Sequence, residues 1–448
     1  MGNLFSSAMR YLRRLWGMSD IRNRMLVTFG LLVLYRFAAH VPVPGVNPVA
    51  LRELLSRSGT AGSTLMGLMD LLSGGTVSTF SVLAMGVYPY ITAQIILQLL
   101  VPIIPRLQRL TEEDPRQGRE FMERWTYYLA VPMAALNAFG QVRLILSLQG
   151  TSTPILNFNL GFNLATATMI ITMTGGTMFA IWLGELISEY GIRNQGLSLI
   201  IFAGIVSRLP SNLGSLLADE QNRWRYLAIF LGIMVFSVLV IVFVQQGRRN
   251  VPVMYPGRRI GQRQSMPVRG NLPLQVNMAG MIPVIFAQSI LTFPAIIAQF
   301  FTGAATEWVR NFAIGVSNLF GGQSPYYWSI FFFMVVGFTF FYTDVIFTQQ
   351  NYGDNLKRAG AQIPGITKGA PTQKYLTKVL RRITLPGAVF LGVVAIMPFL
   401  VRPLIPAANN FSILSTGLLI VVGVVRDTFF SLDAELKLRG YEETLLVK

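Results

Sequence analysis

Gly86-Val87-Tyr88-Pro89-Tyr90-Ile91-Thr92-Ala93-Gln94-Ile95-Ile96 is echoed far along the chain by Gly280-Met281-Ile282-Pro283-Val284-Ile285-Phe286-Ala287-Gln288-Ser289-Ile290. Both stretches obey Gly-x-x-Pro-x-Ile-x-Ala-Gln-x-Ile. Gly and Pro weaken a helix interior, and Gln puts an amide where packing needs none. Interrupted apolar segments at matching positions of two halves point to the working region of a duplicated membrane protein.

The rest of the chain reads as membrane protein too. Of its 448 residues, 52% are hydrophobic and 13% are charged, whereas soluble proteins carry about 25% charged residues. With roughly twenty apolar residues needed per crossing, about ten spans are predicted. They lie near 25–41, 77–101, 125–146, 164–187, 197–215, 226–245, 276–300, 326–347, 384–401 and 411–430. The formal charge of +17 is then first a topology signal, because Lys and Arg collect in cytoplasmic loops. Arg10, Arg13, Arg14, Arg22 and Arg24 precede span 1. Arg248, Arg249, Arg258, Arg259, Arg263 and Arg269 lie between spans 6 and 7, and Lys357, Arg358, Lys368, Lys374, Lys378, Arg381 and Arg382 between spans 8 and 9. Loops on the other side are sparse in cations, so both termini are expected in the cytoplasm. The Met1–Arg24 stretch is polar and basic, and no cleavable signal is expected there.

The echo thus falls in spans 2 and 7. An odd offset of five spans makes the copies run in opposite directions, as in an inverted repeat. The expected fold is an all-α polytopic membrane protein, with ten transmembrane helices in two inverted five-helix halves, residues 1–217 and 218–448. Thr64–Leu72 is apolar but too short to cross, and Ser73-Gly74-Gly75 follows as a hinge. It reads either as a re-entrant segment or as an outer loop with an amphipathic turn.

Chemistry is restricted. The chain has no Cys and one His, which removes disulfides, thiolate nucleophiles and multi-His metal sites. His40 stands at the outer end of span 1, and there is no Gly-x-Ser-x-Gly elbow, paired-Asp motif or P-loop. No enzyme activity and no cofactor are expected. A secondary transporter also uses inverted repeats, but it places ionisable groups at mid-membrane. The centres of spans 2, 5 and 7 lack them, while Glu185 and Asp344 sit near span ends.

Several segments, in order, resemble the SecY family of protein-translocation channels. They are Tyr35-Arg36 through Pro42-Val43-Pro44-Gly45, Ser73-Gly74-Gly75, Ala84–Ile91, Gly175-Gly176-Thr177-Met178 with Trp182-Leu183-Gly184-Glu185, and Ile200–Val206. Asn277–Pro283, Phe341-Tyr342-Thr343 and Asp354-Asn355-Leu356-Lys357 complete the set. The resemblance implies an hourglass channel that passes unfolded polypeptides across the membrane. It also implies a gate between spans 2 and 7 that releases signal sequences and transmembrane segments sideways into lipid.

By resemblance the plug spans about 64–75, with Leu65, Met66, Leu68, Met69, Leu71, Leu72, Ser73, Gly74 and Gly75. The apolar pore ring would be Val87, Ile91, Leu197, Ile201, Ile285 and Ile420. Val87/Ile91 and Leu197/Ile201 are i,i+4 pairs, each on one helix face. A ring of branched side chains can dewet a narrow pore. The gate helices would carry Thr92, Gln94, Gln288 and Ser289. Polar contacts between membrane helices are worth only about 1 kcal/mol, so such a seam would hold yet open cheaply; ordinary helix–helix glue is the equal alternative.

The cytoplasmic loops, about 247–275 and 348–383, would dock the ribosome or the SecA ATPase through Arg258, Arg259, Lys357, Arg358, Lys368, Arg381 and Arg382. The resemblance also implies SecE and SecG subunits, signal-bearing preproteins, membrane lipids and residence in the bacterial cytoplasmic (inner) membrane. Two positions depart from the family. Thr367-Lys368 replaces the customary Arg-Pro, and Lys lacks the planar fork of Arg. Arg426 stands in span 10 where an apolar residue is usual, and a local pair with Asp427 is expected.

Overall fold

The computed structural model describes residues 18–47, 80–101, 103–113, 115–148, 163–217, 223–256, 259–260, 263–264, 268–301, 306–321, 324–401 and 412–438. The expected plug residues, Leu65 to Gly75, and Arg258 lie outside the described residues. Helices dominate. In the first part these are α1 (Ser19–Ala38), α2 (Tyr88–Leu100), α3 (Pro105–Glu113), α4 (Pro115–Leu148), α5 (Leu164–Tyr190) and α6 (Gly196–Leu217). In the second they are α7 (Arg223–Gln246), α8 (Ile282–Phe301), α9 (Glu307–Phe320), α10 (Pro325–Gln349), α11 (Tyr352–Arg358), α12 (Ala370–Val401) and α13 (Ser412–Leu438).

Among the described residues, Leu164–Tyr190, Leu227–Gln246, the stretch beginning at Pro325 and Ala370–Met397 are long and apolar enough to cross a membrane. Gly196–Ser207 and Ile282–Ala298 are shorter apolar helices. Their outward faces carry Phe236, Leu239 and Phe243 on α7, each more than 60% exposed. Such faces suit lipid rather than water.

The two copies of the echo adopt one local structure. Gly86 has φ +49° and Gly280 has φ +63°, the left-handed region that Gly enters without penalty. In each copy a helix begins two residues later, at Tyr88 and at Ile282. Pro89 and Pro283 are then the second helical residues, where a missing N–H is one of the unpaired donors of the first turn anyway. The repeated letters therefore encode a repeated helix start.

This corrects the expected boundaries of span 2. Among the described residues the helix starts only at Tyr88; residues 82–87 run as turns, and Phe80 also has positive φ, 42°. The segment is tied to the chain leaving α1, with Val43 N donating to Phe80 O at 3.1 Å and Val82 N to Val41 O at 2.9 Å. Helix α5 presses on it from behind. A Cβ on Gly176 would run into the Val82 carbonyl, whereas a Cβ on neighbouring Gly175 would meet open space. Gly176→Ala should cost about 1–3 kcal/mol through overpacking, while Gly175→Ala should be neutral or gain up to about 1 kcal/mol of helix propensity. Thermal unfolding of the two purified variants in detergent checks this difference.

Helix packing divides along the chain. In the first part α1 packs on α5 and α6, α2 on α4, α4 on α5, and α5 on α6. In the second, α8 packs on α9 and α10, α10 on α12, and α12 on α13. The parts meet at two edges: α8 against α4 and, more sparingly, α2; and α6 against α7 and α13.

Two features were not read from the sequence. The first is α9, whose Trp308 and Phe312 stack with centroids 5.9 Å apart and are both exposed. The second is the hairpin of β1 (Arg248–Tyr255) and β4 (Val268–Gln275), antiparallel from Arg248↔Gln275 to Tyr255↔Val268. Strands β2 (Arg259–Ile260) and β3 (Arg263–Gln264) pair antiparallel between them. In its described residues the basic loop between spans 6 and 7 is thus a β-ribbon. Its alternation is visible in retrospect: Val251 and Val253 are buried while Pro252 between them is exposed.

Candidate functional site

The site is built around the two echo helices. Val87, Ile201, Ile285 and Ile420 are almost fully buried, and Ile91 and Leu197 are half-buried. All six belong to one apolar cluster that draws on α2, α6, α8 and α13. The cluster is wider than these six, since it also takes in Tyr35, Ile241, Leu391 and others. What the fold supplies is branched aliphatic side chains from four helices.

The seam between α2 and α8 carries polar groups. Thr92, Gln288, Ser289 and Thr292 are buried. Thr92 Oγ1 donates to Tyr88 O at 3.0 Å and Thr292 Oγ1 to Gln288 O at 2.8 Å, so each satisfies itself within its own helix. Across the seam the Tyr88 phenol lies beside Ser289 as well as Thr92, without closing a hydrogen bond of good geometry. The expected symmetry of the two glutamines is not observed. Gln288 is 2% exposed, but Gln94 is an exposed residue and not a buried amide. Its helix neighbours Tyr90 and Leu97 are nonetheless buried, so the exposure is confined to Gln94 itself on that face.

Sequence reasoning missed α4 as a seam helix. It packs on α8 more extensively than α2 does, and it buries Asn137 and Gln141, whose Oδ1 and Oε1 have no hydrogen-bond partner. Two amides in the apolar run of span 3 were the available signal.

Arg426 of α13 donates through Nε and Nη2 to Asp427 Oδ1 at 3.0 and 2.9 Å, the expected local pair. Its guanidinium also stands beside Gly280, the left-handed residue of the second echo. Asn277 Nδ2 donates to Gly280 O at 3.0 Å and so fixes the same turn.

The two basic loops form one body. Met254 and Gln362 exchange backbone hydrogen bonds at 2.8 and 2.9 Å. Val251, Val253 and Leu274 of the hairpin share a core with Leu356, Ile363, Leu376 and Leu380. Among the expected docking cations, Lys357, Arg358 and Arg382 are exposed. Two have structural duties as well. Lys368 Nζ donates to Gly360 O at 3.0 Å, and Arg381 forks onto Asp344 at 2.8 and 3.2 Å. That fork ties α12 to α10 and uses the charge of Arg381 locally. His40 Nδ1 meets Arg36 O at 2.7 Å. Among the described residues no cluster of His, Cys, Asp or Glu could hold a metal.

Comparison with known proteins agrees with this architecture. Three solved structures share the fold over 96% of this chain and 96% of theirs: a protein-conducting channel (TM-score 0.61, 18% identity), a SecY protein studied for its plug domain (0.60, 19%), and Sec61 of the canine ribosome–channel complex (0.57, 18%). The fold is therefore that of the protein-conducting channels. The SecY family model matches residues 81–429, and the chain belongs to the SecY family. Relatives named protein translocase subunit SecY include that of Streptomyces scabiei, 38% identical over 430 residues, covering 94% of this chain and 96% of the relative. The Micrococcus luteus protein is 37% identical over 434 residues, covering 95% and 97%.

Proposed function

We propose that this chain is the channel subunit of a Sec translocase. It would pass unfolded polypeptides between two halves, residues 1–217 and 218–448, and release apolar segments sideways between α2 and α8. The observation that carries this reading is the repeated helix start. Two helices, expected from the span count to run in opposite directions, begin with the same left-handed Gly and the same Pro, and both deliver aliphatic side chains to one cluster. The seam they share is thinly packed and lined by hydroxyls and a phenol, which among the described residues close no hydrogen bond or ion pair across it. Such a seam is cheap to part when a hydrophobic helix offers itself in exchange, since interhelical polar contacts are worth about 1 kcal/mol.

In this reading Val87, Ile91, Leu197, Ile201, Ile285 and Ile420 form the ring, and Leu65 to Gly75 supply the plug. Thr92, Ser289, Gln288 and Gln94 belong to the gate, with Asn137 and Gln141 added from α4. Energy would come from a partner, the ribosome or SecA, because the chain carries no nucleotide-binding motif. SecE and SecG subunits would complete the channel in the bacterial cytoplasmic membrane, with both termini inside. Reconstitution with these partners and a signal-bearing precursor tests the function; no protected precursor under conditions where a known translocase yields it would refute it.

The fused hairpin and loop body is the docking surface. Lys357 and Arg358 have the free charge that Arg381 lacks. If the partner is rRNA, substituting both with Gln should flatten the salt dependence of ribosome binding, lowering the log–log slope by roughly 1.5 to 2. Co-sedimentation of ribosomes with channel proteoliposomes across a salt series measures it. An unchanged slope would remove these two residues from the interface.

A further inference from the structure

At the cytoplasmic ends of α10 and α12 lies a cavity of about 980 Å³, separate from the echo helices. Its upper wall carries Lys374, Lys378, Arg381 and Arg382 from α12, against one carboxylate, Asp354 of α11. Arg381 is spoken for by Asp344. Among the described residues Lys374, Lys378 and Arg382 have no carboxylate partner. The wall is built and not accidental: Gln373 Oε1 accepts from Gly353 N at 2.8 Å, which clamps α11 onto α12.

The floor is different in kind. It is made by Phe340 of α10 and Leu385 of α12, the latter 58% exposed. Below Leu385, Val389 and Val393 follow at i+4 steps, each 43% exposed. On α10, Phe333 is 71% exposed, and a side chain at Gly337 would meet nothing. An apolar track thus leaves the cavity and runs along α10 and α12 into the spans. Arg381 and Arg382 directly precede the expected start of span 9, and Lys378 and Lys374 follow on successive turns further out along α12.

We propose that this cavity binds the headgroup of an anionic phospholipid, with an acyl chain lying on Leu385, Val389 and Val393. This rests on the membrane placement of α10 and α12 and on the cytoplasmic position of α11. Basic pockets between helices on the cytoplasmic side recognise such headgroups. Lys suits the task, because a compact ammonium on a flexible stem follows a mobile phosphate. A soluble acidic peptide would satisfy the cations but leave the exposed apolar track without a use. The ligand that matches both parts is an amphiphile with a negative head.

The absence of Cys from the chain permits a direct test. A single cysteine at Thr377, which lines the cavity, is labelled with bimane in the complete translocase in nanodiscs. The discs contain brominated phosphatidylglycerol or brominated phosphatidylcholine at equal mole fraction. The expected result is several-fold stronger quenching by the anionic lipid, abolished in K374Q/K378Q and retained in K374R/K378R. Equal quenching by both lipids, or quenching unchanged in K374Q/K378Q, would overturn the proposal. So would displacement by millimolar glycerophosphate, which would show a site for a soluble anion. A label shielded from both lipids would show a partner helix in the groove, and would overturn it too. Precursor transport is measured on the same discs: quenching without transport refutes the channel reading alone, and transport without selective quenching refutes the lipid site alone.

Discussion

Joining residue 92 to residue 289 should stop translocation. With Thr92→Cys and Ser289→Cys introduced into the Cys-free chain, oxidation or a short bis-maleimide should bridge α2 to α8. The Tyr88 phenol reaches both residues, which places the two positions within one side chain's span of each other. The native seam relies on contacts of about 1 kcal/mol each, and a covalent bond replaces that weak hold with one that no signal sequence can exchange. Precursor translocation should fall by at least about tenfold, the equivalent of about 1.4 kcal/mol or more, and reduction of the disulfide should restore it. A bridge formed in good yield that leaves translocation intact would end the lateral-gate reading of these helices. Each single-cysteine variant controls for the substitutions, since Thr92 bonds only within its own helix.

That experiment also shows which part of the molecule can be read from letters. Gly86-x-x-Pro89 and Gly280-x-x-Pro283 each state a backbone need, a left-handed residue followed by a helix start, and both needs are met locally. Local demands of this kind survive in sequence. Whether Gln94 and Gln288 face the same way does not, because that depends on which neighbours surround each helix. Gln288 is enclosed by α8's partners while Gln94 is left outside. The role of α4 was hidden for the same reason: apolar composition says that span 3 crosses, not which helix it touches. The β1–β4 hairpin was masked by its Arg residues. Charge had been read as topology, and the short alternation at Val251 and Val253 was too brief to stand against it.

The body formed by the hairpin and the loop after α10 makes a related point about charge. Seven cations were grouped by sequence as one docking set, yet they differ in what their charge already does. Arg381 is neutralised by Asp344, and Lys368 is held by a carbonyl of its own loop. By the resemblance the customary Arg position is Thr367, and its neighbour Lys368 binds a carbonyl of its own loop, Gly360 O. The free cations Lys357, Arg358 and Arg382 are the ones whose loss a partner would feel directly.

Opening the ring should leak ions. Ile201 on α6 and Ile285 on α8 come from opposite parts of the chain, and both are buried in the shared cluster. Replacing both with Gly removes the branched side chains that keep a narrow passage dry, and the resting conductance of the reconstituted channel should rise roughly tenfold or more by wetting of the constriction. The same change would also weaken packing. Removing a buried aliphatic side chain costs about 2–5 kcal/mol, and Gly costs a helix about 1 kcal/mol more than Ala. Destabilisation and leak must therefore be separated. Ile200 offers the means: it neighbours Ile201 on α6, is fully buried, and packs toward Gly184 of α5. Ile200→Gly should lower the melting temperature as much as Ile201→Gly does, yet leave the conductance low, because its side chain fills a helix–helix contact. Ile201→Leu should keep the seal, since a dry ring needs bulk and not one particular shape. If Ile201→Gly/Ile285→Gly stays folded and conducts no more than the parent, or if Ile200→Gly leaks equally, these isoleucines are packing residues and the pore lies elsewhere.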